Sequence, residues 1–296
     1  MNDQSGIYWL ASYPKSGNTW FRAFIANLQR GHDAEVDINA LDTGEIASSR
    51  AWLDELLGFD SADLQAEEIE QLRPEIYRWT VAKEAKGLGY HKIHDAYLYL
   101  KNGEPMVSRE ATRGALYILR NPLDVAISAA NHWGCTIDDA IHRMSLNNFE
   151  IARNKRGMHL QVGQRLLSWS QHVLSWVDAH GLNCHVIRYE DMLNDGLNSF
   201  TEASRFLELD TDEALISKAI VQSSFEKLAA QEQARGFRER SVKAERFFRN
   251  GKAGSWRETL TRKQVDKIIE NHAEVMQRFG YIDVHGSPYL PGSDSV

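Results

Sequence analysis

The stretch "IYWLASYPKSGNTWFRAFIANLQ", residues 7–29, decides the fold. Its first five residues are apolar and read as a buried strand. From residue 18 the apolar positions recur with helical spacing. Between them lies a tight loop with one lysine and one glycine. A helix that starts near Asn18 or Thr19 leaves its first N–H groups without intrahelical partners. Those donors and the positive end of the helix dipole favour an anion. Gly17 lets the backbone approach closely, Lys15 adds a full charge and Thr19 adds a hydroxyl. The loop is not the GxxxxGK[ST] loop of ATP and GTP enzymes, because Lys15 precedes Gly17 and no glycine leads. The stretch therefore predicts a strand, a phosphate-holding loop and a helix, and leaves the phosphate's owner open.

Other short apolar runs read as strands: "GYHKIH" (89–94), "ALYILR" (115–120) and "CHVIRY" (184–189). Helical periodicity covers 18–29, 122–133, 161–180, 196–209 and 261–280. Strands alternating with helices predict an α/β fold, with a mostly parallel central sheet flanked by helices on both faces. In such sheets ligands sit at the carboxyl ends of the strands. The opening loop, His94 and Arg120 all fall at such ends. No Pro/Gly/Ser linker divides the chain, so residues 1–296 read as one P-loop-like domain. Residues 134–160 read as a lid and 282–296 as a C-terminal tail.

The chain has 296 residues, 43% hydrophobic and 25% charged, an ordinary composition for a soluble domain. No apolar run approaches the roughly 18 residues of a membrane span. The start, "MNDQSGIYWLASYP", has no basic leader, so no signal peptide is expected. Cys135 and Cys184 fit no CxxC pattern and read as reduced thiols of a cytoplasmic protein. The net charge of −7 is uneven: residues 33–75 hold 13 acidic and 2 basic residues, whereas 235–257 hold 8 basic and 2 acidic. One concentrated basic stretch in an acidic protein suggests a local anion site and argues against nucleic-acid binding.

Three further stretches carry chemistry. In "LRNPLDVAIS", Arg120 ends a strand, Pro122 opens a helix at its favoured first position, and Ser128 lies two turns on. Arginine is the fork-shaped phosphate binder, although Arg120 could equally pair with Asp124. In "ERFFRNGKAGSWRETLT", Arg249 and the backbone at Gly251 form a second candidate anion cradle. In "GYHKIH", strand alternation puts Lys92 and His94 on one face and His91 and Ile93 on the other. A cation beside an imidazole at a strand end suits proton abstraction near developing negative charge.

Together these stretches resemble the cytosolic-type sulfotransferases that use 3′-phosphoadenosine 5′-phosphosulfate (PAPS). That family reads close to YPKSGTTW, KTH, RNPxDxxxS and RKGxxGDWK. This chain has "YPKSGNTW", "KIH", "RNPLDVAIS" and "RNGKAGSWR", in the same order. The resemblance implies that Lys15, Ser16, Gly17, Asn18 and Thr19 hold the 5′-phosphosulfate. It assigns Arg120, Ser128, Arg249 and Gly251 to the 3′-phosphate. Trp20 and Phe225 would sandwich the adenine, with Tyr189 and Ser223 at its edge. His94 would be the general base, Lys92 and Lys15 would meet developing charge, and no metal is implied. The products would be a sulfated hydroxyl and 3′,5′-bisphosphate of adenosine (PAP).

Some positions depart from the family. Asn18 replaces a threonine, Asn250 a basic residue and Ser255 an aspartate. The family's dimer motif is only partly kept at "RETLTRKQVD", which leaves the oligomeric state open. The acidic 33–75 run suggests a polar, cationic acceptor, such as a glycoside or another small molecule with a hydroxyl. Two alternatives stand beside this reading: a P-loop kinase using ATP, and a sulfotransferase-like protein that binds PAP without turnover.

Overall fold

β1 (Gly6–Ala11) is buried at every residue and runs by a six-residue loop into α1 (Asn18–Arg30). In this computed structural model, residues 5–31, 35–41, 43–83, 87–152 and 160–289 are described. The chain continues through α2 (Arg50–Leu57), α3 (Ala66–Lys83), β2 (Leu88–Ile93), β3 (Thr112–Leu119), α4 (Pro122–Trp133) and α5 (Ile137–Ser145). A short antiparallel pair, β4 (Glu150–Ile151) and β5 (Gln164–Arg165), precedes α6 (Trp169–Val177) and β6 (Cys184–Arg188). Then come α7 (Tyr189–Asn194), α8 (Gly196–Phe206), α9 (Glu213–Gln222), α10 (Phe225–Arg235), α11 (Trp256–Thr259) and α12 (Arg262–Arg278).

The central sheet has the order β2-β1-β3-β6. β1 is parallel to β2 from Gly6↔Leu88 to Ala11↔Ile93, and parallel to β3 through Ala11↔Tyr117. Parallel pairing brings the carboxyl ends of these strands to one edge, where such sheets bind ligands. It also explains the unbroken apolar runs, since strands covered on both faces do not alternate. All four expected strands are present, and α4 matches its predicted span. The 161–180 expectation is corrected. Leu167 adopts a left-handed φ of 61°, and Ser168 with Gln171 forms a capping box that starts α6 at Trp169. Side-chain capping thus overrode a continuous periodic pattern. α2, α3, α9 and α10 were not foreseen; Ser49 and Asp212 cap α2 and α9 through their side chains.

Chain contacts gather into two compact units. The first comprises the described residues of Met1–Tyr13, Thr43–Tyr117 and Asn147–Val186. Its core includes Trp9, whose ring meets Tyr77 edge-on at 4.8 Å and whose indole N–H donates to Thr112 Oγ1 at 2.9 Å. A fully buried ion pair, Arg73–Asp95 at 2.8 Å, ties α3 to the end of β2. Arg73 also donates to the Tyr77 hydroxyl, and Asp95 accepts from the Arg165 N–H.

The second unit comprises the described residues of Pro14–Asp42, Ile118–Leu146 and Ile187–Val296. α1 is buried on most sides; Phe21 and Phe24 pack on Phe200 of α8, with ring centroids 5.5 and 4.3 Å apart. Within the segment read as a lid, 137–145 form α5, closed by a Thr136/Asp139 capping box and packed on α4 through Ala129, Ala130 and Ala140. Residues 153–159 of that segment, and 290–296 of the tail, lie outside the described residues.

Much of the acidic run has partners. Within the first unit Glu55 pairs with Lys83, Glu70 with Arg165 and Glu75 with Arg78. Within the second, Glu35 pairs with Lys227 and Asp37 with Arg235. Asp54 and Asp60 accept backbone N–H groups of Ser61 and Ala62. These carboxylates are engaged within their own units, largely at the surface. Residues 33, 34 and 42 lie outside the described residues.

Two predictions concern stability. Arg73→Ala leaves a buried carboxylate unpaired, and should cost about 3–5 kcal/mol in urea unfolding. Burial pushes the imidazoles of His91, His172 and His272 down to about 4, from an ordinary 6.5. Below 6.5 the unfolded chain binds protons that the folded one does not, so stability is complete above 6.5 and falls as pH drops toward 4. The urea midpoint should follow that window, and His91→Phe should flatten the dependence.

Candidate active site

The second unit carries every residue expected to hold nucleotide. Gly17 caps α1 with φ 103°, a left-handed angle that favours glycine. A Cβ there would also stand 2.7 Å from the Tyr189 ring. Lys15 takes a left-handed φ of 73° without that freedom, a strain that clusters at functional sites. Its ammonium lies 3.5 Å over the Phe247 ring centroid, a cation–π contact. The loop thus turns α1's first N–H groups, buried Thr19 and the Lys15 charge into one place.

Arg120 joins that loop to the basic stretch. Its Nη1 donates to the Lys15 carbonyl and its Nη2 to the Lys252 carbonyl, both at 3.1 Å. Its guanidinium lies 4.1 Å over the Tyr189 ring. Arg120 does not pair with Asp124 as the alternative reading had it. Asp124 instead accepts the N–H groups of Gly254 at 2.7 Å and Trp256 at 3.0 Å. Glu232 does the same for Phe247 and Phe248, and Asn131 donates to the Arg246 carbonyl. The basic stretch is therefore pinned along its length. Arg249 is exposed on it, and Gly251 sits against the Phe225 ring so closely that a Cβ would fall 2.3 Å from it. Asn250 donates to Ser255 Oγ at 2.6 Å, so two of the family departures bond to each other.

Trp20 meets Tyr189 edge-on at 5.5 Å and Phe200 at the same distance. Ser128 is the half-buried residue in the otherwise buried stretch 121–130. Ser223 is fully buried and donates its hydroxyl to the Ala219 carbonyl at 2.8 Å, which leaves only its oxygen lone pairs for a ligand. Glu190, buried beside these groups, accepts from the Asn121 N–H and the Tyr281 hydroxyl, and burial pushes its carboxyl up. Among the described residues, Ser16 Oγ, Arg120 Nε and Trp20 Nε1 are buried without hydrogen-bond partners. Each such donor costs about 1–3 kcal/mol. An anionic ligand with several acceptor oxygens fits this donor set.

The first unit carries the candidate base. His94 follows β2 and is half-buried. Its Nδ1 lies 2.8 Å from the Ser12 carbonyl and 3.3 Å from Ser12 Oγ. A carbonyl only accepts, so Nδ1 carries the hydrogen and Nε2 the lone pair. Lys92, on the same strand, is 9% exposed. The two neighbours left open by the sequence are placed elsewhere. His91 stacks on Trp52 at 4.6 Å with its Nδ1 at the Glu45 carbonyl, and Asp95 pairs with Arg73. Sequence reading missed Ser12, Glu232 and Phe247 and considered Asp124 only as a partner of Arg120; Ser12, Asp124 and Glu232 act through backbone contacts that no motif spells out, and Phe247 through its ring against Lys15.

A parallel α/β sheet whose first strand leads into a glycine-capped helix is an architecture suited to holding an anion at that loop. More specifically, residues 7–280 match the family model of the sulfotransferase domain, and the chain belongs to that family. Rat (Rattus norvegicus) sulfotransferase 2A6 is 23% identical over 282 residues, 91% of this chain and 84% of the rat protein. The luciferin sulfotransferase of Photinus pyralis is 24% identical over 228 residues, 74% and 55% of the two chains. The solved structure of mouse sulfotransferase SULT7A1 complexed with PAP matches with a TM-score of 0.56 at 21% identity, over 94% of this chain and 86% of that one. Retinol dehydratase in complex with androsterone and PAP matches with a TM-score of 0.56 at 19% identity, over 92% and 80%. At these identities the structural matches establish the fold. No described helix is long and apolar enough to cross a membrane.

Asp124→Ala should free the basic stretch. Removing a charged acceptor from two N–H groups costs about 1.5–3 kcal/mol per bond. Amide hydrogen exchange at Gly254 and Trp256 should accelerate at least tenfold, while that of α8 stays unchanged.

Proposed function

We propose that this chain is a PAPS-dependent sulfotransferase that moves a sulfuryl group in line to a hydroxyl of a small molecule or glycoside. The observation that carries the reading is Arg120. It binds the backbone of both phosphate-type loops, with its Nε and the nearby Ser16 Oγ left without partners. Lys15, Ser16, Gly17, Asn18 and Thr19 hold the 5′-phosphosulfate. Arg120, Ser128, Arg249 and Gly251 hold the 3′-phosphate, and Trp20, Phe225 and Tyr189 contact the adenine. Ser223 reaches it only through its lone pairs. PAPS supplies the sulfuryl group and leaves as PAP.

The chain's own part is positioning, charge stabilisation and one proton transfer. Nε2 of His94 takes the proton of the acceptor hydroxyl, a step worth roughly 100- to 10,000-fold. Lys92 and Lys15 meet the negative charge that builds on the transferring group and the departing oxygen. Fixing both reactants removes much of the entropic barrier of a bimolecular reaction. The Nδ1–H tautomer of His94 favours turnover over a PAP-binding protein without catalysis, because it presents a basic nitrogen.

Calorimetric titration with PAP, with ATP–Mg²⁺ alongside, tests the reading. Micromolar or tighter PAP binding is expected, weakened about ten- to hundredfold in Arg120→Ala, which loses charged hydrogen bonds worth about 1.5–3 kcal/mol each. His94→Ala should keep that affinity and lose about 100-fold or more in transfer from PAPS across an acceptor screen. Folded protein that ignores PAP, or prefers ATP–Mg²⁺, would falsify the proposal.

A further inference from the structure

A hydrogen-bonded circuit reaches the His94 main chain and ring in the first unit. His94 Nδ1 donates to the Ser12 carbonyl at 2.8 Å. The Tyr117 hydroxyl lies 2.8 Å from His172 Nδ1. His172 Nε2 lies 3.0 Å from the carbonyl oxygen of His94 itself.

The proton positions follow from donor and acceptor chemistry. The His94 carbonyl only accepts, so His172 carries its hydrogen on Nε2. Burial pushes the His172 imidazole down to about 4, so it is neutral and has one N–H. Its Nδ1 therefore accepts, and Tyr117, whose phenol burial holds protonated, donates. The Tyr117 and His172 bonds then run in one sense toward the His94 carbonyl, and each polarises the other in low-dielectric surroundings. Tyr117 and His172 are both fully buried, and the Tyr13 ring stands edge-on to His172 at 5.3 Å. Neither residue is exposed to touch a substrate, so any effect on chemistry passes through His94.

We infer that Tyr117 and His172 are positioning residues for the base. Through this circuit they fix the main chain that carries the His94 ring, and so hold its Nδ1–H on the Ser12 carbonyl. The inference rests on the reading of His94 as general base. The capping box that starts α6 at Trp169 sets the helical turn on which His172 projects, which gives the Ser168–Gln171 sequence a bearing on the site.

The test is a long-range ¹H–¹⁵N spectrum of the histidine rings at neutral pH, read together with PAP affinity and transfer kinetics. Wild-type His94 should show a protonated Nδ1 and a bare Nε2. Tyr117→Phe removes one oxygen and opens the circuit. His94 should then sample both tautomers, and kcat should fall about tenfold or more, with PAP affinity and acceptor KM unchanged. His172→Phe should do the same, and His172→Gln, which keeps an N–H donor for the His94 carbonyl, should recover part of the loss. An unchanged His94 tautomer and wild-type kcat in folded Tyr117→Phe would overturn the inference. So would loss of stability or PAP binding with no change in tautomer, the mark of a merely structural role. Should His172→Phe fail to fold, the single-atom Tyr117→Phe change decides. If the wild type transfers no sulfuryl group at all, the functional reading fails, and the tautomer spectra still decide the circuit.

Discussion

The structure depends on how the chain leaves β1. A strand buried at every residue has to give way to a helix within six residues, and two of those take left-handed angles, Lys15 and Gly17. Glycine accepts this geometry freely; lysine does not. The turn caps α1 at Gly17 and fixes the lysine backbone so that its carbonyl faces Arg120. Tyr189 then closes on Gly17 where no Cβ could fit. One local conformation therefore sets the anion cradle, the Arg120 contact and the aromatic packing behind both.

The second unit shows how a basic loop is held without losing its charge. Acidic residues, Asp124 and Glu232, bind its backbone N–H groups and leave its basic side chains alone. A carboxylate that took Arg249 or Lys252 as a partner would cancel the field that attracts a phosphate. One that takes amides immobilises the loop at little cost to that field. The first unit follows a related logic around His94. The Ser12 carbonyl holds the imidazole and fixes its orientation.

Much of this was legible in the residues. The runs of β1 and β3 are largely apolar and buried, the mark of strands covered on both faces, and β2 and β6 carry the aromatic and β-branched residues of strands. The cradle was legible because Lys15, Gly17 and Thr19 lie within five residues of one another. Other features were not. The carboxylates of the 33–75 run look like an anionic surface in sequence, yet several are matched to Lys83, Arg165, Lys227 and Arg235, far along the chain. Periodicity over 161–180 hid the left-handed Leu167 and the capping box behind it, because apolar spacing does not report backbone angle.

By itself the sequence determined the parallel α/β class, the positions of the strands, the spans of α1 and α4, and the residue types at each phosphate loop. These depend on local propensity and on periodicity, which neighbouring residues settle among themselves. Tertiary structure alone decided which groups meet. Ser12 and His94 are 82 residues apart, Tyr117 and His172 are 55, and Arg120 and Lys252 are 132. A hydrogen bond is directional and effective only within about 3 Å, so the tautomer of His94 and the anchoring of the basic loop exist only once the chain has folded these distances away.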